Sequence, residues 1–128
     1  MDTNNTERNI IWPENGFASN VPATLGESPS VVLFYSDWCP ASRLARVIFE
    51  QVAADYAHRE DAISFVKIPT ERYPSLAAGY KIRAIPTLVF ECEGRVVDTI
   101  VGKPNRTTLE TLVGNFARSL DPRLGLAD

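Results

Sequence analysis

Hydrophobic positions along this chain change period several times, and each change marks an element. Val31 to Ser36 is an apolar run without interruption, which predicts a central strand covered on both faces. From Ala41 to Ala57 the period becomes helical. Leu44, Val47, Ile48 and Val52, with Ala45, Phe49, Ala53 and Tyr56, then form a wide buried face, and Arg43, Arg46 and Glu50 fall outside it. Ala62 to Ile68 reads as a further strand. A short helical stretch from about Thr70 to Gly79 follows, with a break expected before Pro74. Thr87 to Cys92 and Arg95 to Val101 alternate on either side of Glu93-Gly94, the pattern of an antiparallel hairpin. The last helix is expected to start near Thr107, with Thr107 and Glu110 as a capping box, and to end at Leu120 before Asp121-Pro122. Leu109, Leu112, Val113, Phe116 and Leu120 give it one apolar stripe.

Ahead of these elements the signal is weaker. Residues 1–8 are polar and read as a flexible N-terminus, and Asn9 to Trp12 reads as a short edge strand closed by Pro13. Glu14 to Leu25 carries a faint helical period through Phe17, Val21 and Leu25, which Pro22 limits to a short or broken helix. With no internal repeat or linker, the organisation is one domain over residues 9–120 and a short tail over 121–128. At 128 residues and 45% hydrophobic content, the chain can build a core without disulfide staples. A net charge of −3 and the lack of any lysine or arginine run argue against nucleic acid. No stretch approaches the ~18 apolar residues of a membrane span, and the first residues lack a basic region followed by an apolar one. The expectation is a cytoplasmic protein with no membrane association, a monomer or weak dimer. Two cysteines and one histidine cannot supply a four-ligand zinc site, so no metal is expected.

The chemistry concentrates at Cys39, where the apolar run hands over to the helical pattern. A thiol at a helix N-terminus faces unpaired backbone N–H groups and the positive end of the helix dipole, and both favour thiolate. Pro40 suits the first helical turn, where the N–H it lacks has no intrahelical partner. The competing reading is a buried structural thiol. An aromatic residue, a cysteine and a proline in succession at this junction, Trp38-Cys39-Pro40, are not what a core needs. His58 reads as a partner for the end of the helix dipole.

Trp38-Cys39 at the junction, Lys67 near the end of its strand, Lys81 to Thr87 with its Ile85-Pro86-Thr87 segment, and Gly102 after the last strand together resemble the thioredoxin family over about residues 9–120. The resemblance implies an α/β thioredoxin fold, with a central mixed sheet of about five strands flanked by about four helices. It also implies a cis Pro86 packed against Cys39, with the Ile85 backbone pairing with an extended peptide by strand addition. Trp38, Pro40 and Ala41 would complete the substrate surface, and Lys67 would lend electrostatic support. The family motif is Trp-Cys-Gly-Pro-Cys, and three departures stand out. Ser42 replaces the second cysteine and cannot form a disulfide. Leu33 stands where the family has a buried aspartate, and proline directly after the cysteine is similar to glutaredoxins. Cys92 cannot substitute for the missing thiol: six strand residues at ~3.3 Å each separate it from Pro86, far more than the roughly 6.8 Å a disulfide allows between Cα atoms.

Three functions follow. Cys39, steadied by Ser42, can form mixed disulfides with a disulfide-containing or glutathionylated protein, as a monothiol isomerase or reductase with no resident cofactor and with glutathione as a candidate co-substrate. Alternatively, the chain is a non-catalytic binding module that keeps the peptide groove, or a dithiol reductase whose resolving cysteine has been exchanged for serine. The Gly-rich motif of glutaredoxins that hold an iron–sulfur site is missing.

Overall fold

The computed structural model describes residues 10–11, 29–56 and 63–120. Two strands open the description: β1 (Ile10–Ile11) and β2 (Ser30–Tyr35). Helix α1 (Pro40–Asp55), β3 (Ser64–Pro69), α2 (Pro74–Gly79), β4 (Thr87–Cys92), β5 (Arg95–Val101) and α3 (Arg106–Leu120) follow in that order. One mixed sheet results, ordered β1-β3-β2-β4-β5. β1 and β2 run parallel to β3, and β4 runs antiparallel to both β2 and β5. The described residues form the five strands of this sheet, β1 being only two residues long at its edge, and three helices. The helix expected within Glu14 to Leu25, the polar N-terminus, the tail and His58 lie outside the described residues.

β2 is the centre of the sheet, and its continuous apolar sequence is explained by burial on both sides. Val31, Leu33 and Tyr35 pack with α1 and α3 on one face, while Val32 and Phe34 pack with Tyr73, Ala77 and Val89 on the other. At the β4–β5 turn Glu93 (φ 54°) and Gly94 (φ 77°) both adopt left-handed conformations, the pair that a tight hairpin with right-handed strand twist requires.

Two details of the helices differ from the sequence pattern. The sheet-facing stripe of α1 is narrower than expected: Ser42, Ala45, Phe49, Val52 and Ala53 are buried, whereas Leu44 and Val47 are about half exposed at 55% and 49%. The residues at 42, 45, 49, 52 and 53 already fill one 3.6-residue stripe, so Leu44 and Val47 turn toward solvent. In α3 the cap is Asn105 rather than Thr107. Asn105 Oδ1 accepts from the Thr108 N–H at 2.7 Å, and its carbonyl accepts the first helical bond from the Leu109 N–H at 3.1 Å. Glu110, freed from a capping role, accepts from Arg106 Nε at 2.7 Å, and Arg106 also reaches Asp55 Oδ2 at 3.2 Å at the end of α1. The two helices are thereby joined at one end, with Arg106 bridging.

Candidate active site

The site grows out of the turn between β2 and α1. Cys39 is the residue preceding α1, with extended backbone (φ −100°, ψ 118°), and Pro40 occupies the first helical turn without sacrificing a hydrogen bond. The Cys39 N–H donates to the Ser36 carbonyl at 3.3 Å and the Arg43 N–H donates to the Cys39 carbonyl at 3.0 Å, so the backbone on both sides of the sulfur is fixed. Two arginines of α1 reach back over this turn. Arg43 Nη1 donates to the Asp37 carbonyl at 2.9 Å and Arg46 Nη1 pairs with Asp37 Oδ1 at 3.0 Å. The clamp leaves Trp38 at the tip, 71% exposed, beside a half-buried Cys39. Sequence reasoning placed Arg43 and Arg46 outside the buried face and missed this role; an aspartate just ahead of a helix with two arginines in its first two turns was the available signal.

Ser42, three residues into the pattern, is fully buried. Its backbone N–H is the largest influence drawing the Cys39 thiol below its ordinary value, followed by its hydroxyl. Partial burial acts in the opposite direction, and the Ala41 N–H and the Arg43 charge add to the lowering. The Ser42 Oγ has no hydrogen-bond partner in the resting geometry. A thiol is a poor acceptor and a thiolate a good one, so ionisation of Cys39 supplies the acceptor that this buried hydroxyl lacks. Tyr35, at the end of β2 with the Arg46 guanidinium 5.8 Å over its ring, is pushed up to about 12 by burial and by Asp37, and stays a neutral phenol.

The second wall comes from the segment ahead of β4. Phe34 of β2 is opposite Thr87 of β4, which sets Pro86 beside the end of β2, at the edge of the sheet from which the Cys39 turn emerges. The Ile85–Pro86 peptide bond is cis. Pro86 is buried and its carbonyl accepts from the Gly102 N–H at 2.8 Å; Ile85 is half-buried. Thr87 Oγ1 donates to the Ala84 carbonyl at 2.7 Å and so closes the segment on itself. The residues Trp38, Cys39, Pro40, Ala41, Ser42, Ile85 and Pro86 therefore share one end of the sheet.

Lys67 does not join them. It lies inside β3 opposite Leu33, and its ammonium is bound at 2.7 Å to Glu50 Oε2 of α1. Leu33, fully buried among apolar neighbours, offers it no carboxylate, and α1 supplies one instead. The support expected from Lys67 at the sulfur is thus spent within a pair. Cys92 lies at the opposite end of β4, half-buried and paired with Arg95 across the hairpin. No group of three or more histidine, cysteine, aspartate or glutamate side chains suited to a metal ion occurs among the described residues, and no described helix is long and apolar enough to cross a membrane.

Comparison with known proteins places this arrangement. The thioredoxin family model matches residues 10–115. The chain is 36% identical over 88 residues to a thioredoxin of Porphyra purpurea, covering 69% of this chain and 79% of that protein. It is 38% identical over 81 residues to thioredoxin 1 of Synechococcus elongatus, covering 63% and 73% respectively. Among solved structures, a variant thioredoxin from Halobacterium salinarum superposes with a TM-score of 0.71 at 21% identity, over 86% of this chain and 92% of that one. The Malassezia sympodialis thioredoxin does so with a TM-score of 0.66 at 25% identity, over 84% and 89%. On this evidence the chain belongs to the thioredoxin family, whose general chemistry is thiol–disulfide redox on protein disulfides.

Proposed function

We propose that this protein carries out thiol–disulfide exchange through one nucleophilic cysteine. The Cys39 thiolate attacks one sulfur of a protein disulfide, or of a glutathionylated cysteine, held along Ile85 and Pro86. A bond forms between the Cys39 sulfur and the attacked sulfur, and the other sulfur leaves as thiolate. In family members with two cysteines the second one resolves this intermediate. Here Ser42 cannot, and Leu33 withdraws the buried acid as well. Release therefore falls to a thiol from outside, glutathione or a second thiol of the substrate, which attacks the mixed disulfide and returns Cys39 as thiolate. With glutathione as co-substrate a glutathionylated cysteine is freed and glutathione disulfide leaves, whereas a protein disulfide is left glutathionylated on one sulfur until a second glutathione removes that group as glutathione disulfide and completes the reduction. With the substrate's own thiol it is isomerisation. No resident cofactor takes part, and the proposed setting is the cytoplasm, with the protein acting as a monomer or weak dimer.

The observation that carries this reading is the environment of Cys39: a helix N-terminus, the N–H groups of Ser42 and Ala41 and a buried hydroxyl all favour the thiolate. Leu33 and Ser42 would suit a binding module equally well, but a binder gains nothing from an ionised sulfur. Incubation with a glutathionylated peptide separates the two. The exchange protein accumulates a Cys39 mixed disulfide in one-to-one stoichiometry, seen by intact mass, and added glutathione discharges it; Cys39→Ala forms none. Failure of the wild-type protein to form the adduct would exclude exchange and leave the binding module.

A further inference from the structure

Resting on the exchange chemistry above, we infer that its substrates carry acidic residues next to the disulfide cysteine, read by a cationic cleft that adjoins Pro86. The cleft holds about 230 Å³ and is lined by Lys81, Arg83, Thr87, Val89, Thr99 and Val101, among others. Ala84 and Thr87, the residues that bracket Ile85-Pro86, also line it, and Val101 leads into Gly102, whose N–H binds the Pro86 carbonyl at 2.8 Å. A peptide held at Ile85 is thus beside this cleft.

Charge selects the occupant. Lys81 and Arg83 are exposed, no carboxylate lines the cleft among the described residues, and neither cation is paired with an acid. Lys103, one residue beyond the Gly102 clamp, is likewise exposed and unpaired, and Arg43 beside the sulfur spends its guanidinium on a backbone carbonyl, not on a carboxylate. Arg43 lies in the first turn of α1 beside Cys39, and Lys81, Arg83 and Lys103 stand in the segments on either side of Ile85-Pro86 and its Gly102 partner, in a chain whose net charge is −3, so the cleft opposes the sign of the molecule. Elsewhere Arg46, Lys67 and Arg106 are each bound to an acid, while Arg72 and Arg95 have no acid partner among the described residues.

Lys81 adds an independent reason. It follows α2 with φ 60°, a left-handed conformation that glycine adopts without strain and lysine does not. Its N–H still donates to the Ala78 carbonyl at 2.9 Å, so the turn asks only for the backbone. A strained lysine at a turn beside a groove is accounted for by its charge. Arg83 differs in kind: its planar fork can hold a carboxylate through two parallel hydrogen bonds, whereas Lys81 and Lys103 act as point charges. The apolar and threonine floor of the cleft accommodates the stem of a glutamate under that rim.

The test uses three synthetic peptides alike except for the residues flanking one cysteine, which are glutamate, serine or lysine; each cysteine carries a neutral thiopyridyl leaving group whose release is followed by absorbance. At low ionic strength the glutamate peptide is expected to form the Cys39 adduct roughly tenfold faster than the lysine peptide. That ratio should collapse toward one in about 1 M salt, where screening reaches ~3 Å. In the double substitution Lys81→Glu and Arg83→Glu the preference should invert. If the serine peptide reacts readily and the glutamate and lysine peptides differ by less than about twofold at low salt, the acidic-substrate inference is overturned while exchange stands. If none of the three peptides reacts, exchange itself is lost, and the inference with it.

Discussion

Ser42→Cys is expected to convert a protein that accumulates mixed disulfides into one that turns over. Position 42 is fully buried, its N–H and its side-chain atom both act on the Cys39 sulfur, and it lies three residues along the same helical turn. A thiol there attacks the mixed disulfide from within the same molecule, replacing a step that otherwise waits for external thiol, and well-oriented intramolecular reactions gain greatly in effective concentration. In an insulin-reduction assay driven by dithiothreitol, the variant should exceed the wild-type rate by at least about tenfold, and after the assay its Cys39 should be found either free or bonded to the new cysteine. Equal rates for the two proteins would mean that the two positions do not communicate and that Ser42 has no influence on the sulfur.

The second large effect is structural. Phe65→Ala should destabilise the domain by about 3–5 kcal/mol. Phe65 is fully buried on β3, with the Phe49 ring centroid of α1 at 5.8 Å edge-on and the Tyr56 ring at 5.8 Å tilted. Removing it forfeits the transfer energy of the ring, leaves a cavity that its two aromatic neighbours, Phe49 on α1 and Tyr56 just past its end, cannot readily fill, and loses two aromatic pairs. Against the 5–15 kcal/mol typical of a whole domain, about 4 kcal/mol is a large share. Urea unfolding should show a lower midpoint with the same slope, because the surface exposed on unfolding is little changed. A loss under about 1 kcal/mol would show that α1 is not held to the sheet through this ring.

Much of this was legible before any coordinates, because local chemistry and global packing agree. β2 was readable since a strand buried on both faces has no polar positions to confuse its pattern. The hairpin was readable since Glu93-Gly94 is a short-range turn signal. The placement of Cys39 followed from one change of period at one junction. What escaped the sequence depended on partners distant along the chain. Lys67 near a strand end looks solvated, and its pairing with Glu50, 17 residues away, exists only because α1 lies on that face and Leu33 offers no acid. Leu44 and Val47 count as core residues when apolarity is the only criterion. The helix needed a narrower stripe than the sequence offered. Asn105 outcompeted the Thr107 capping box because a side chain one residue ahead of the helix reaches the Thr108 N–H directly. Cys39 and Pro86 are distant in sequence, and it is the antiparallel pairing of β2 with β4 that brings them to one end of the sheet.

All of the proposed chemistry requires an ionised Cys39 near neutral pH, and a titration reads this directly. In a Cys92→Ala background, which leaves Cys39 as the sole thiol, ultraviolet thiolate absorbance followed against pH should show a midpoint below the ordinary thiol value of about 8.5. Ser42→Ala should move that midpoint up by removing the hydroxyl while keeping the backbone N–H. A midpoint at or above the ordinary value, unmoved by Ser42→Ala, would contradict the account.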